Sequence, residues 1–375
     1  MITNKAVLGL STAAVLVLGL TACAGDADTT TPSGIDAATA TSAEAFGGLE
    51  ALIEAAQAEG ELNVIALPED WANYGAIIAA FEDKYGIQVN SADPNVSSAE
   101  EISAAENLKG QDTAPDVFDL GSAVALSSLD YFAPYQVQTW DDIPAEHKEA
   151  SGLWVYDYTG LMSVGYDADA VPAPTSLDAL LDAAYAGKVA INGDPTQAGS
   201  AAAAVNLAAL LNGGSADDIQ AGIDFFAELK AAGNFLPVDP TPATIASGET
   251  PVVFDWSYLN LAESANNAGV RDWKVTILPG VALGSYYNQA INVDAPHPAA
   301  ARLWQEFLFS DEGQNLWLKG GAFPVRLQAM IAAGTVDADA LAAVGEPPAD
   351  LVQFTAAQTE AASALLAEKW AAAIQ

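Results

Sequence analysis

The chain has 375 residues, 51% of them hydrophobic, which is enough for a sizeable core and excludes global disorder. Its 49 acidic residues against 12 Lys and Arg give a net charge of −37, so nucleic acid and anionic membrane surfaces are excluded as expected partners. A solvated acidic surface, as in proteins of salty habitats, accounts for the bulk of that charge, and attraction of a cationic solute is the sharper alternative.

Lys5 and the short apolar run Ala6 to Leu20 end in Leu20-Thr21-Ala22-Cys23. This resembles a bacterial lipoprotein signal, with a plain secretory signal as the alternative. The resemblance implies that residues 1–22 are removed and that Cys23 carries the lipid. That anchor is the only expected tie to the membrane, because nothing after residue 23 reads as a transmembrane helix. Cys23 is also the single cysteine of the chain and has no disulfide partner. Residues 23–45, rich in Thr, Ala, Asp, Gly and Ser, read as a flexible tether.

Apolar spacing predicts a helix from Leu49 to Gly60, a buried strand over Leu62 to Leu67 and an amphipathic helix over Asn73 to Tyr85. A strand begins at Ile87, so this stretch is a β–loop–α–turn–β unit of a parallel sheet. A helix follows over Ser98 to Lys109, then a strand over Pro115 to Leu120 and extended structure from Trp154 to Tyr166. The pattern restarts after Val171-Pro172 with a helix over Ser176 to Ala184, a strand over Lys188 to Ile191, and helices over Ala198 to Leu211 and Asp217 to Ala232. Strands at Pro251 to Phe254, Lys274 to Leu278 and Ala290 to Val293 come next, with a helix ending near Gly269. From Pro298 the chain reads as helical, with helices over Ala299 to Leu308, Asp311 to Gly320 and Val352 to Ile374.

The constellations that catalysis needs are missing. Two histidines, His147 and His297, supply neither an HExxH pair nor a spaced Cys/His cluster. No GxSxG, GxGxxG or GxxxxGK[ST] occurs. A glycosidase pair such as Asp141-Asp142 arises by chance in so acidic a chain. No enzyme activity, metal or cofactor is expected, and the alternatives are an exported carbohydrate-active enzyme or a cell-surface interaction protein.

Several loops at predicted strand ends join an aromatic to an acid or amide. They are Asp70-Trp71-Ala72-Asn73-Tyr74, Asp119-Leu120-Gly121-Ser122, Asp255-Trp256-Ser257-Tyr258 and Ser285-Tyr286-Tyr287-Asn288. Open α/β sheets bind ligands beyond such strand ends. Aromatic faces beside carboxylates suit an amine or quaternary ammonium, at about 0.5–2 kcal/mol per cation–π contact. Core anchoring is the plainer reading of each aromatic singly. The loop from Asp194 through Gln197 to Ser200 opens a helix whose free N–H groups suit a carboxylate or phosphonate, although Asp194 opposes an anion unless it caps the helix.

The stretches "AEGELNVIALPEDWANYGAIIAAFEDKYGIQV", "APDVFDLGSAVAL", "GKVAINGDPTQAGSAAAAV", "ETPVVFDWSYL" and "NQAINVDAPHPAAARLWQEFLFSDEGQNLWLKGGAFPVR" resemble, in order, the extracellular solute-binding proteins of bacterial ABC importers. The nearest subgroup is that of the spermidine/putrescine, iron and phosphonate binders. The resemblance implies an α/β, two-lobe periplasmic-binding-protein-like fold, each lobe a mixed sheet flanked by helices, with the ligand cleft at the hinge. It implies a monomer outside the cytoplasm that hands a small solute to a membrane permease. Lobe 1 is expected over 46–168 plus 276–375 and lobe 2 over 169–275, with hinges near Tyr166–Pro172 and Asp272–Gly280.

Trp71 and Tyr74 match the W-x-x-Y of the polyamine binders, and Asp194 matches an acid after the first strand of their second lobe. A second acid of theirs is Gln197 here, and tyrosines replace a carboxylate near Tyr286–Asn288. These departures favour a smaller amine or a zwitterion such as an aminophosphonate. Ferric iron would need an adjacent Tyr-Tyr pair, but Tyr286-Tyr287 falls on a different strand from that of the iron binders. The expected roles are a sandwich by Trp71, Tyr74, Trp256 and Tyr258, and charge neutralisation by Asp119 and Asp255. Ser122, Gln197 and Asn288 would orient the solute. Arg326 would hold an anion or, more plainly, a structural ion pair.

Overall fold

The computed structural model describes residues 36–348 and 350–374. The expected signal and Cys23 lie outside these residues. The helices are α1 (Leu49–Glu59), α2 (Tyr74–Tyr85), α3 (Ser98–Asn107), α4 (Ser122–Ser127), α5 (Gly199–Leu211), α6 (Gln220–Ala231), α7 (Pro242–Ser247), α8 (Ser257–Asn266), α9 (Pro298–Leu308), α10 (Asp311–Lys319), α11 (Leu327–Ala333), α12 (Ala338–Val344) and α13 (Ala356–Ala373). The strands are β1 (Glu61–Ile65), β2 (Gln88–Ala92), β3 (Val117–Gly121), β4 (Phe132–Ala133), β5 (Val155–Asp167), β6 (Val189–Ile191), β7 (Val252–Trp256), β8 (Trp273–Thr276), β9 (Gly284–Asn292) and β10 (Phe323–Pro324).

The first unit forms as its spacing predicts. Gly60 and Gly86 end α1 and α2 in the left-handed region, where a side chain would be strained, and β1 and β2 pair in parallel. The other eight described strands form two sheets that are continuous through β5, in the order β3-β9-β5-β7-β6, with β4 on β9 and both β8 and β10 on β5. Only β6–β7 is parallel along this order, so the second lobe's sheet is mixed, whereas the first lobe sets an antiparallel sheet beside the separate parallel pair β1–β2.

β5 joins the two lobes. Its residues Val155 to Leu161 pair with β9, and from Met162 to Asp167 it pairs with β7 and β8. The change of partner falls at 161/162, ahead of the expected boundary at 168, because the strand runs on into the second sheet without a break. The return connection between the two sheets lies between β8 and β9.

Three expectations are corrected. The tether expected over 23–45 does not extend past Asp36. Ala37–Thr39 and Ala43–Phe46 form 3-10 turns, Ala37, Ala40 and Ala43 are buried, and buried Arg302 donates to Ala40 O and Ala38 O at 2.6 Å each. Alanines seated on α9 next to a guanidinium are packed, although their composition reads as linker. The helix expected over Ser176 to Ala184 is two 3-10 turns, Asp178–Leu181 and Ala183–Tyr185, because Asp182 between them is extended. The loop expected at Ser285–Asn288 is the interior of β9, paired on both sides.

Candidate ligand cleft

A cleft of about 440 Å³ opens between the lobes, walled on one side by the loop after β1, α3 and β3, and on the other by the loop after β6, α7, β7 and α8. Among the described residues eight carboxylates line it and no Lys, Arg or His does. Four are buried: Glu101 and Asp119 in the first lobe, Asp255 and Glu263 in the second. Four stand at the exposed rim: Asp70, Glu100, Asp194 and Asp239.

The loop after β1 is strained where it meets the cleft. Ala66, Ala72 and Asn73 have φ of 58°, 44° and 70°, a region that costs a non-glycine residue about 1–3 kcal/mol. Asn73 Nδ2 secures the turn by donating to Leu316 O at 2.8 Å. This backbone sets Trp71 upright as a wall of the cleft, its Nε1 donating to Tyr158 Oη at 2.7 Å. Its ring lies edge-on to Tyr287 at 5.7 Å and to Tyr258 at 6.1 Å.

From Trp71 a hydrogen-bond chain runs into the floor. Tyr158 and Tyr74 hydroxyls donate to Asp119 Oδ2 at 3.1 and 2.8 Å, and Gln289 Nε2 donates to both Tyr74 Oη and Asp157 Oδ2 at 2.9 Å. Asp119 Oδ1 is buried with no N–H or hydroxyl donor against it, which leaves it to a proton shared with Asp157. Burial pushes Asp119 up to about 6 and Asp157 well above the usual carboxylate range, the second also because two like charges this close resist ionising together. Glu101, whose carboxylate accepts from Asp119 N–H, is raised by burial and by Asp119. On the facing lobe Asp255 accepts from Trp256 N–H and Asn192 Nδ2 at 2.8 Å each, yet burial raises it to about 7.

The structure gathers Asp70, Trp71, Asp119, Asp194, Gln197, Asp255 and Tyr287 around the cleft. It sends the rest elsewhere. Tyr74, Trp256 and Tyr258 are at most 1% exposed: Tyr74 packs edge-on to Tyr158 and Trp317, Tyr258 packs edge-on to Tyr158, and Trp256 Nε1 donates to Tyr287 Oη at 3.4 Å, so the four-ring sandwich is not formed. Tyr258 belongs to the first turn of α8 and its ring covers Gly160, where an added Cβ would meet it at 2.7 Å. Ser122 donates to Asn288 Oδ1 at 2.8 Å behind the wall, away from the cleft. Tyr286 and Tyr287 alternate across β9. Tyr286 stacks on Tyr156 at 5.2 Å and packs beside His147, so the two tyrosines do not meet at one point. Arg326 is bound to Asp142 at 2.6 Å and Asp311 at 2.9 Å, a structural ion pair remote from the cleft.

Glu101, Glu263 and Asp239 are cleft residues that the sequence reading did not single out. Glu101 shares the buried face of α3 with Ser98 and Ala105, and a carboxylate on that face is the signal that was available. Asp194 caps its own turn, its Oδ1 accepting from Thr196 N–H at 2.8 Å. The N-terminus of α5 therefore meets the cleft at Gly199 and Ser200 without a side-chain cap.

Among solved structures, iron-bound HitA from Pseudomonas aeruginosa is 22% identical, with 82% of this chain and 98% of that one covered and a TM-score of 0.60. AgtB from A. tumefaciens R10 in complex with agropinic acid is 15% identical over 84% and 98%, with a TM-score of 0.66. A putative spermidine/putrescine ABC transporter protein from Listeria monocytogenes is 13% identical over 82% and 98%, with a TM-score of 0.59. At these identities the likeness establishes the shared two-lobe fold alone. No curated protein sequence matches the chain. The profile of one family does, over residues 115–346, more than half of the length. With that match and the two-lobe cleft together, the chain belongs to the bacterial extracellular solute-binding proteins.

Proposed function

We propose that this solute-binding protein captures a small cationic amine in the cleft between its lobes and presents it to an ABC permease, tethered outside the cytoplasm by a lipid on Cys23. The supporting observation is a cleft with eight carboxylates and no basic side chain among the described residues, whose buried acids come from both lobes. An ammonium bridging Asp119 and Asp255 would neutralise both lobes at once and so favour the closed state, which is the differential affinity that drives closure. Trp71 and Tyr287 add apolar and cation–π contact at the wall. Separation of Tyr286 from Tyr287 counts against the iron reading, and the acidic lining counts against an anion. The uncapped start of α5 favours a carboxylate or phosphonate on the same solute, which keeps a zwitterion as the second reading.

Thermal melting with a panel of mono-, di- and polyamines, quaternary amines, aminophosphonates, amino acids, sugars and ferric chelates tests this. A binder at a hundred times its dissociation constant adds about 2.7 kcal/mol. Primary amines are expected to raise the midpoint, and Asp119→Asn and Asp255→Asn to weaken them at least tenfold. A panel in which only anions or sugars act overturns the amine assignment. If Asp255→Asn leaves amine affinity unchanged, the bridging role fails.

A further inference from the structure

The C-terminal helix touches both lobes. α13 packs against α4 on the first lobe and against α5 and α6 on the second. The segment ahead of it is bound to the connection between β8 and β9, with Gly284 N–H donating to Val352 O at 3.0 Å and Val352 N–H to Ala282 O at 2.8 Å.

Its two contacts are unequal. On the second lobe buried Trp370 lies edge-on to Phe226 at 5.6 Å and Phe235 at 6.3 Å, and Gln358 donates to Asp217 Oδ1 at 2.8 Å. Aromatic packing of this kind makes a firm anchor. Toward the first lobe Thr359, Ala362 and Ser363 share a cavity of about 60 Å³ with Ser122 and Ala123 of α4, closed on its other side by Gly199, Ala202 and Ala203 of α5. α4 has no aromatic residue to meet α13 and sets small side chains beside the void, where dispersion contacts are few, so the contact with α4 is the one that yields first.

The cavity sits behind the point where the lobes touch. A Cβ on Gly121 would lie 3.4 Å from Gly199 Cα, and these two glycines stand at the starts of α4 and α5. Parting them parts α4 from α5, and a straight helix packed on both cannot follow both. We propose that α13 is a strap, anchored to the second lobe through Trp370 and latched over α4 on the first, which holds the solute-free lobes together and lets go of α4 when they open. The inference needs lobes that move about β5 but no particular solute.

Small-angle scattering of the solute-free full chain is compared with a chain ending at Phe354 and with Ser363→Glu, which wedges the latch and leaves Trp370 in place. The expected result is a larger radius of gyration in both variants. Affinity for putrescine, used as the probe if it shifts the midpoint of the parent chain, is expected to fall about 5-fold or more, since closure is no longer prepaid. An unchanged radius in Ser363→Glu overturns the strap, whether or not the shortened chain folds. Because the scattering uses no solute, an amine panel without a hit leaves this test standing.

Discussion

Asp119 and Asp255 are acids that folding makes harder to ionise, since burial raises the first to about 6 and the second to about 7. The folded protein therefore binds more protons than the unfolded chain between the ordinary Asp range, near pH 4, and those values. Their contribution to stability is complete below about pH 4 and is lost as pH rises through about 6 and then 7. Glu59 and Glu306, each raised to about 7 by burial, act in the same sense. The solute-free protein should accordingly melt at a lower temperature at pH 8 than at pH 5. Asp255→Asn should remove roughly 2 °C or more of that fall, read by calorimetry across the pH range. A slope that rises with pH would show these acids to be ionised in the folded state. This arrangement also explains why the site was only half legible in the sequence. Asp119 and Asp255 stand out because an acid inside an apolar strand has no structural excuse. Glu101 and Glu263 lie on amphipathic helices, where a carboxylate reads as part of a solvated face.

Among the elements, α5 and α6 cross with their backbones close together at Gly222. A Cβ on Gly222 would lie 2.1 Å from Val205 O and 2.8 Å from Ala209 N, so no side chain fits without moving a helix. Gly222→Ala should cost about 1–3 kcal/mol despite its better helix propensity, and denaturant melts would show it. A gain in stability would mean that the crossing can relax. The long periodic helices α1, α2, α5, α6, α9, α10 and α13 were legible because their apolar spacing and glycine or polar ends agree with their packing. The short α7, α11 and α12 were missed, since 6 or 7 residues give too little periodicity to count. β9 was placed too late, at Ala290, because Gly284 to Asn288 is polar. Pairing with β3 and β5, rather than alternation, makes it a strand.

At the scale of the whole molecule, family resemblance and element order both pointed to two lobes, and the fold has them. What the sequence could not show is which strand-end residues converge. Asp119 and Asp255 are brought to one cleft only by antiparallel pairing through β5 and β9, and the same geometry turns Tyr286 away from Tyr287.

β5 has one further consequence. Two lobes that move against each other invite the expectation of two melting domains, yet the strand contributes residues 155–161 to one sheet and 162–167 to the other. Losing either sheet strips a central partner from the remaining one and exposes its ladder to water. Mechanical freedom and thermodynamic independence are thereby separated. Scanning calorimetry should record a single transition whose van't Hoff and calorimetric enthalpies agree, and two resolved peaks would show that the lobes fold alone.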